Sequence, residues 1–274
     1  MLIHSIKYAK WFPIALLLLV TTTACDALLG SLTPAEPQIL IPTVLNAYPH
    51  DVNAFTQGLV LADGRLYEST GLFGQSTLRE VDLTTGAVLR SVAVAPEYFA
   101  EGLALVDDRL IQLTWQSGIA LIYDRDTFAP LGSYTYSGEG WGLCYDGAQL
   151  YMSDGSSTLF IRDAQSFEII RQVTVALDGQ PVERLNELEC VGDAIYANVW
   201  QTDAIVVIDK LTGRVRDVID ASTLLTPDER AQLTDGNAVL NGIAYDAERG
   251  HFYITGKLYP TLWEVAFTPQ PGSN

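Results

Sequence analysis

The sequence has few basic residues. Its 274 residues include 16 Lys and Arg against 33 Asp and Glu, which gives a formal net charge of -17 at pH 7. A protein that binds nucleic acid needs a basic surface to neutralise the phosphates. The composition therefore argues against DNA or RNA as a partner, and we interpret the acidic surface as serving solubility.

Histidine and cysteine, the usual zinc ligands, are also scarce. The chain has 3 of each and no CxxC motif or Cys/His cluster, so the sequence predicts no zinc site. Cys144 lies two residues after Gly142, whereas Cys190 lies three residues after Glu187, the equivalent position of the repeat described below. Because strand residues alternate between faces, we expect the two cysteines on opposite faces, as buried thiols rather than a disulfide.

Long apolar runs are absent as well. The run from Trp11 to Val20 spans about ten residues, too few to cross a bilayer, and it follows Lys7 and Lys10. This pattern is typical of a signal peptide, which we predict over residues 1–24. The protein is therefore expected to be exported, to the periplasm or the cell surface.

The end of this segment resembles a bacterial lipobox, in which a cysteine becomes the lipidated N-terminus. The motif is Thr22-Thr23-Ala24-Cys25. Lipidation of Cys25 and simple cleavage after Ala24 both fit the sequence, and a lipid on Cys25 would be the expected means of membrane contact. Residues 25–42 are predicted to be a linker.

What the sequence does contain is a motif repeated at intervals of about 40 to 55 residues. In each copy a polar or aromatic residue stands before a short pair that opens a predicted strand, and a second strand follows after a turn. The copies are Gln57-Gly58-Leu59, Glu101-Gly102-Leu103, Trp141-Gly142-Leu143, Asn186-Glu187-Leu188 and Asn241-Gly242-Ile243. A period of this length is typical of a β-propeller.

We therefore predict an all-β fold, a five-bladed β-propeller with four-stranded blades over residues 43–268, followed by a polar tail over 269–274. The fifth unit ends at Phe267 without a fourth strand. We expect Thr43 to Tyr48 to supply it, which would pair the two ends of the chain and remove an exposed sheet edge. One surface helix is predicted from Pro227 to Leu233, because Thr226 and Glu229 form a capping box.

In a propeller the first strands of the blades surround a channel, so the residues that open them converge at one mouth. These residues are Gln57, Glu101, Trp141, Asn186 and Asn241. A second ring lies four residues beyond a repeated position of the second strand, and consists of Gly71, Trp115, Gly155, Trp200 and Lys257. We predict that one carboxylate, one ammonium, several amides and several indoles face one pocket, a composition typical of a ligand site.

Longer motifs around these positions resemble the plant-type glutaminyl cyclases, and they follow the family's order from His50 to Phe267. They are His50–Leu59, Gly71–Arg79, Glu101–Leu103, Leu113–Trp115, Gly138–Leu143, Leu185–Glu189, Ala197–Thr202, Leu240–Ile243 and Thr255–Lys257. The resemblance implies a five-bladed propeller that converts the N-terminal glutamine of peptides and proteins to pyroglutamate with release of ammonia. Two positions depart from the family pattern: Tyr259 stands where we expect Trp, and Cys190 where an aromatic residue is common.

Each pocket residue has an expected role in this reaction. Glu101 is the expected general base and acid, which accepts the amine proton and delivers one to ammonia. Gln57, Asn186 and Lys257 are expected to orient the amide and stabilise the oxyanion. Binding and water exclusion are expected from Phe55, Trp115, Trp141, Trp200 and Asn241. No cofactor is required for this chemistry, and we expect a monomer.

Other interpretations fit the same residues. Glu101, Asn186 and Asn241 carry oxygen atoms that could bind Ca²⁺ for a lactonase-like hydrolysis, or a structural Ca²⁺ could occupy the channel. Lys257 in the same pocket weighs against a calcium-dependent reaction. A non-enzymatic envelope scaffold would need only an exposed apolar patch. Glu101 could also be a structural ion-pair partner of Lys257.

Overall fold

The computed structural model describes residues 36–271, which are built almost entirely from β-strands. The predicted signal peptide, Cys25 and the first part of the predicted linker lie outside the described residues. The strands are β1 (Gln38–Pro49), β2 (Thr56–Ala62), β3 (Arg65–Thr70), β4 (Thr77–Val81), β5 (Val88–Ala93), β6 (Ala100–Val106), β7 (Arg109–Thr114), β8 (Ile119–Asp124), β9 (Pro130–Thr135), β10 (Leu143–Tyr145), β11 (Gln149–Met152), β12 (Thr158–Asp163), β13 (Ile169–Thr174), β14 (Ala176–Leu177), β15 (Gln180–Pro181), β16 (Leu185–Val191), β17 (Ala194–Val199), β18 (Ala204–Asp209), β19 (Val215–Asp220), β20 (Leu240–Asp246), β21 (His251–Gly256) and β22 (Thr261–Pro269).

Apart from the two-stranded sheet β14-β15, the strands form four-stranded antiparallel groups. Three separate sheets have the orders β2-β3-β4-β5, β6-β7-β8-β9 and β10-β11-β12-β13. A larger, 8-stranded sheet has the order β16-β17-β18-β19-β1-β22-β21-β20. It contains two further groups of four, joined where Gln38–Leu40 of β1 runs parallel to Asp217–Ile219 of β19.

The first strands of the groups also contact one another in a closed series. β2 contacts β6, β6 contacts β10, β10 contacts β16, β16 contacts β20, and β20 contacts β2. The repeated glycine of the sequence motif permits this approach. A Cβ atom on Gly58 would lie 2.5 Å from the backbone nitrogen of Leu103, and one on Gly102 would lie 2.6 Å from that of Leu143.

The prediction that an N-terminal strand completes the last group is confirmed. β1 pairs antiparallel with β22, from Leu40 opposite Pro269 to Pro49 opposite Thr261. The strand begins earlier than predicted, at Gln38 within the predicted linker, because its first residues also pair with β19. Pro269, predicted to open the tail, is likewise part of β22.

The predicted helix is present as α1 (Pro227–Gln232). Thr226 Oγ1 accepts a hydrogen bond from the backbone of Glu229, and the Glu229 carboxylate accepts one from the backbone of Thr226, which completes the capping box. Among residues 36–271, no helix has the length and apolar character that crossing a membrane would require.

The expectation that Cys144 and Cys190 are separate thiols is wrong, because they form a disulfide between β10 and β16. The two side chains do point to opposite faces of their own sheets. Leu143, next to Cys144, packs against the preceding sheet, whereas Cys144 packs against Leu188 and Ile195 of the following one. Neighbouring sheets pack face to face. The face of one sheet that carries Cys144 therefore meets the opposite face of the next sheet, which carries Cys190.

Candidate functional site

Most of the predicted site residues line one cavity of about 270 Å³. Gln57, Glu101 and Asn186 come from the starts of first strands, where the pairing register shifts at Thr56/Gly58, Ala100/Leu103 and Leu185/Leu188. Such bulges redirect side chains at the end of a strand. The lining residues are Phe55, Gln57, Leu72, Phe99, Glu101, Trp115, Trp141, Asn186, Trp200, Asn237 and Lys257.

Backbone hydrogen bonds hold the second ring of residues beside the first strands. The amide of Trp115 donates to the carbonyl of Phe99 at 2.9 Å, and the amide of Lys257 donates to that of Val239, also at 2.9 Å. Trp115, Trp200 and Lys257 of the predicted second ring line the cavity together with residues of the first ring, whereas Gly71 and Gly155 do not.

Glu101 is the buried carboxyl of the cavity, with 6% of its surface exposed. Its Oε1 accepts a hydrogen bond from Gln57 Nε2 at 3.0 Å. Burial raises the pKa of Glu101 well above its ordinary value; the charge of Lys257 opposes this effect and that of Glu139 reinforces it. A raised pKa suits a carboxyl that must both accept and release a proton during a reaction.

Lys257 is equally buried, with 4% of its surface exposed. Burial lowers the pKa of its ammonium to about 8, although the charge of Glu101 acts in the opposite direction. The Nζ atom lies 4.8 Å from the centre of the Phe55 ring, a cation–π contact. Among the described residues Lys257 forms no ion pair within 4.0 Å, so its donors face the cavity rather than a carboxylate.

Asn241 is the one predicted site residue that does not line the cavity. It is fully buried behind Gln57, and its Nδ2 donates to the carbonyl oxygen of Thr56 at 2.9 Å and to Gln57 Oε1 at 3.3 Å. This geometry fixes which end of the Gln57 amide faces Glu101. Asn241 therefore supports the cavity from behind rather than touching its contents.

Aromatic side chains form the walls. The Trp141 and Trp200 rings meet edge to face with centres 5.5 Å apart and an interplanar angle of 86°. On the other side the Phe99 ring packs against Phe55 and Trp115 with centres 6.0 Å and 5.9 Å apart. These rings enclose a small apolar space with the polar groups of Glu101, Gln57, Asn186 and Lys257 in one region.

Comparison with known proteins identifies the family of this chain. The sequence model of the glutamine cyclotransferase family matches residues 14–267. The chain belongs to the glutamine cyclotransferase family.

The chain is similar to two named proteins, one by sequence and one by solved structure. A glutaminyl-peptide cyclotransferase of Arabidopsis thaliana is 39% identical over 227 residues, which cover 81% of this chain and 70% of the relative. The crystal structure of Myxococcus xanthus glutaminyl cyclase superposes with a TM-score of 0.81 at 42% identity, covering 86% of this chain and 100% of that one.

Sequence spacing missed several wall residues of this glutamine cyclotransferase, and Phe99 is the clearest. Phe55 stands two residues before Gln57, and Phe99 stands two residues before Glu101. This third repeated position was a usable signal. Leu72 and Asn237 lie on connections between strands, and the repeat does not predict them.

The departure from the family pattern at Tyr259 does not affect the cavity. Tyr259 is buried against Trp263, with ring centres 6.2 Å apart, and it covers Gly256, where a Cβ would lie 2.6 Å from the ring. Among residues 36–271 no group of three or more His, Cys, Asp or Glu side chains is arranged to hold a metal ion.

Proposed function

We propose that this chain cyclises the N-terminal glutamine of peptides and proteins to pyroglutamate and releases ammonia. The observation that carries the proposal is Glu101, a buried carboxyl with a raised pKa at the polar end of a small aromatic cavity. Family membership and the two named relatives support the same activity.

We infer that the architecture is a five-bladed β-propeller, with the fifth blade closed by β1. Two features support this inference: the four-stranded groups in chain order and the closed series of contacts among β2, β6, β10, β16 and β20. Residues that open the first strands would then meet at one mouth of the channel, which agrees with the cavity that Gln57, Glu101, Trp141 and Asn186 share.

The proposed reaction begins when the neutral α-amine attacks the side-chain amide carbon of the same glutamine. A C–N bond forms, and the amide oxygen becomes an oxyanion in a tetrahedral intermediate. Glu101 accepts a proton from the attacking nitrogen and delivers it to the amide nitrogen, and the C–N bond to that nitrogen breaks to release ammonia. Because the attack is intramolecular, much of the acceleration comes from holding the side chain folded.

The remaining polar groups would orient the amide and stabilise its charge. Lys257 Nζ faces the cavity without an ion-pair partner among the described residues and can donate to the oxyanion. The Oδ1 atom of Asn186 is buried with no hydrogen-bond partner in the described part of the chain, so it can accept from a substrate N–H group. Gln57, fixed by Asn241 and Glu101, would position the carboxyl for proton transfer.

Incubation with glutaminyl peptides tests the activity directly. Ammonia should appear, and the peptide should lose about 17 Da, the mass of the expelled ammonia. An N-acetylated peptide should not react, because resonance occupies the lone pair of its nitrogen. Ammonia release from the acetylated peptide at a comparable rate would indicate an ordinary amidase, and loss of activity with a chelator would favour the metal-dependent alternative.

The role of Glu101 is tested by Glu101→Gln, which keeps the shape but removes the titrating group. We expect turnover to fall about 10²-fold to 10⁴-fold, the range for general acid–base catalysis, while the fold survives. Lys257→Met should also lower turnover, through the lost oxyanion contact. If Glu101 were only a structural partner of Lys257, Glu101→Gln would keep near-normal turnover and lose stability, and adding Lys257→Met would partly restore that stability.

A further inference from the structure

One carboxylate oxygen accepts hydrogen bonds from two tryptophans of the cavity wall. Trp115 Nε1 donates to Glu139 Oε2 at 2.7 Å, and Trp141 Nε1 donates to the same atom at 2.9 Å. The other oxygen, Oε1, accepts from Gln116 Nε2 at 2.8 Å. Glu139 itself is only partly buried and does not line the cavity.

These two indoles belong to different four-stranded groups. Trp115 follows β7, Trp141 precedes β10, and Glu139 lies on the connection between β9 and β10. Each indole in turn packs edge to face on another wall ring, Trp115 on Phe99 and Trp141 on Trp200. Glu139 therefore holds two rings of the aromatic wall directly, and each of the two contacts a further wall ring.

Glu139 is charged in this setting. Partial burial raises the pKa of its carboxyl, but hydrogen bonds from Gln116 and the two indoles outweigh burial, so the pKa lies below its ordinary value. Among the described residues no Lys, Arg or His pairs with it within 4.0 Å. A carboxylate that accepts three N–H donors and has no cation partner is more than a solvated loop residue, since its bonds are directed at the cavity wall.

We propose that Glu139 is a positioning residue that sets the angles of the Trp115 and Trp141 indoles and, through them, the folded conformer of the substrate glutamine. The inference rests on the proposed function. The indoles clamp the side-chain methylenes so that the amine faces the amide carbon, and loss of that orientation lowers the rate of ring closure more than it weakens binding.

Glu139 also affects the proton-transfer group through its charge. The charged groups that act on Glu101 are Lys257, which lowers its pKa, and Glu139, which raises it. Removing the negative charge of Glu139 while keeping its hydrogen bonds should therefore lower the pKa of Glu101.

Two substitutions separate these effects. Glu139→Leu removes both indole acceptors, and kcat should fall about 10-fold to 100-fold, as for the loss of charge-assisted hydrogen bonds, while KM changes by less than about threefold. Glu139→Gln keeps a carbonyl oxygen that can accept from both indoles. The kcat of Glu139→Gln should therefore stay within about threefold of wild type. The acidic limb of its kcat/KM profile should move to lower pH.

Gln116→Ala is the matched control, because it removes only the donor to the other oxygen and leaves the acceptor of both indoles in place, so kcat should stay within about threefold of wild type. Near-UV circular dichroism should change in Glu139→Leu and not in Glu139→Gln. Unchanged kcat in a folded Glu139→Leu variant overturns the proposal. A kcat of Glu139→Gln that is as low as that of Glu139→Leu overturns it as well. The proposed function is tested separately, by the wild-type protein alone. If the wild-type protein releases no ammonia from glutaminyl peptides, the proposed function is wrong.

Discussion

His50 is a buried side chain held between two hydrogen-bond acceptors. Its Nδ1 lies 2.7 Å from the carbonyl oxygen of Tyr259, and its Nε2 lies 3.0 Å from Glu68 Oε1. Because a carbonyl and a carboxylate both accept, the ring satisfies both contacts only as the doubly protonated imidazolium. Glu68 also accepts from Thr56 and Arg79, so this network links the end of β1 to β3 and β4.

The network predicts a limited pH range of maximal stability. Burial lowers the pKa of His50, but the interaction with Glu68 outweighs burial, so the pKa of His50 lies above its ordinary value of 6.5. Burial raises the pKa of Glu68, but His50 and Arg79 outweigh it and lower the pKa to about 2. The histidine contribution is complete below pH 6.5 and is lost as pH rises through the raised pKa. The glutamate contribution is complete above pH 4.5 and is lost as pH falls towards 2.

We therefore expect His50→Gln to lower the free energy of unfolding by about 1–3 kcal/mol between pH 4.5 and 6.5 and by less at higher pH. Urea unfolding of both proteins across a pH series measures this difference. A difference that stays constant up to pH 9 would show that His50 contributes by packing alone.

The sequence predicted single residues well where the repeat determines their position. Glu101, Gln57 and Asn186 open equivalent strands, so convergence of those strands was sufficient to place them in one cavity. Glu139 was missed, because its proposed role depends on the direction of two indole N–H groups. Side-chain directions in a connection do not follow from strand periodicity.

At the scale of elements, the disulfide between β10 and β16 joins two neighbouring sheets. It lies beyond the cavity along the first strands, since Cys144 and Cys190 follow Trp141 and Asn186 in their respective strands. Alternation within a strand was predicted correctly for both cysteines. The error concerned the relation between sheets, which single-strand periodicity does not describe.

Replacing both cysteines with alanine should lower the free energy of unfolding by about 2–4 kcal/mol, because the bridge closes a long loop, with a sequence separation of 46, in the unfolded chain. Turnover of the folded variant should remain near wild type, since neither cysteine lines the cavity that contains Glu101. Denaturant unfolding and the ammonia assay measure the two quantities. Unchanged stability would indicate that the bridge does not persist in solution.

At the scale of the whole molecule, β1 joins the last group of strands to the preceding one. It pairs with β22 along most of its length and with β19 over Gln38–Leu40, so it occupies the position between two groups. The sequence predicted this closure because the fifth repeat is one strand short. The extra pairing with β19 could not be predicted, because it joins two groups of strands and the repeat describes each group by itself.

Removing residues 1–48 should therefore destabilise the entire domain, whereas removing residues 1–31 should not. The longer deletion exposes the edges of β22 and β19, and we expect the melting temperature to fall by roughly 10 °C or more, at about 2–4 °C per kcal/mol lost. Thermal unfolding of both variants measures the effect. Equal melting temperatures would contradict the closing role of β1.

The pairing of β1 with β22 also dictates the order in which the protein can be completed during synthesis. Tyr48 pairs with Leu262, and Leu40 pairs with Pro269. Of the described strands, β1 is therefore the first to be synthesised, but it can pair with β22 only when that last strand is available. Such non-local pairing is slow, because a long intervening chain must first be ordered. Earlier groups of strands can form as they emerge, but the seam closes only after β22 has left the ribosome. A nascent or prematurely terminated chain therefore carries an unpaired strand that chaperones and proteases can recognise.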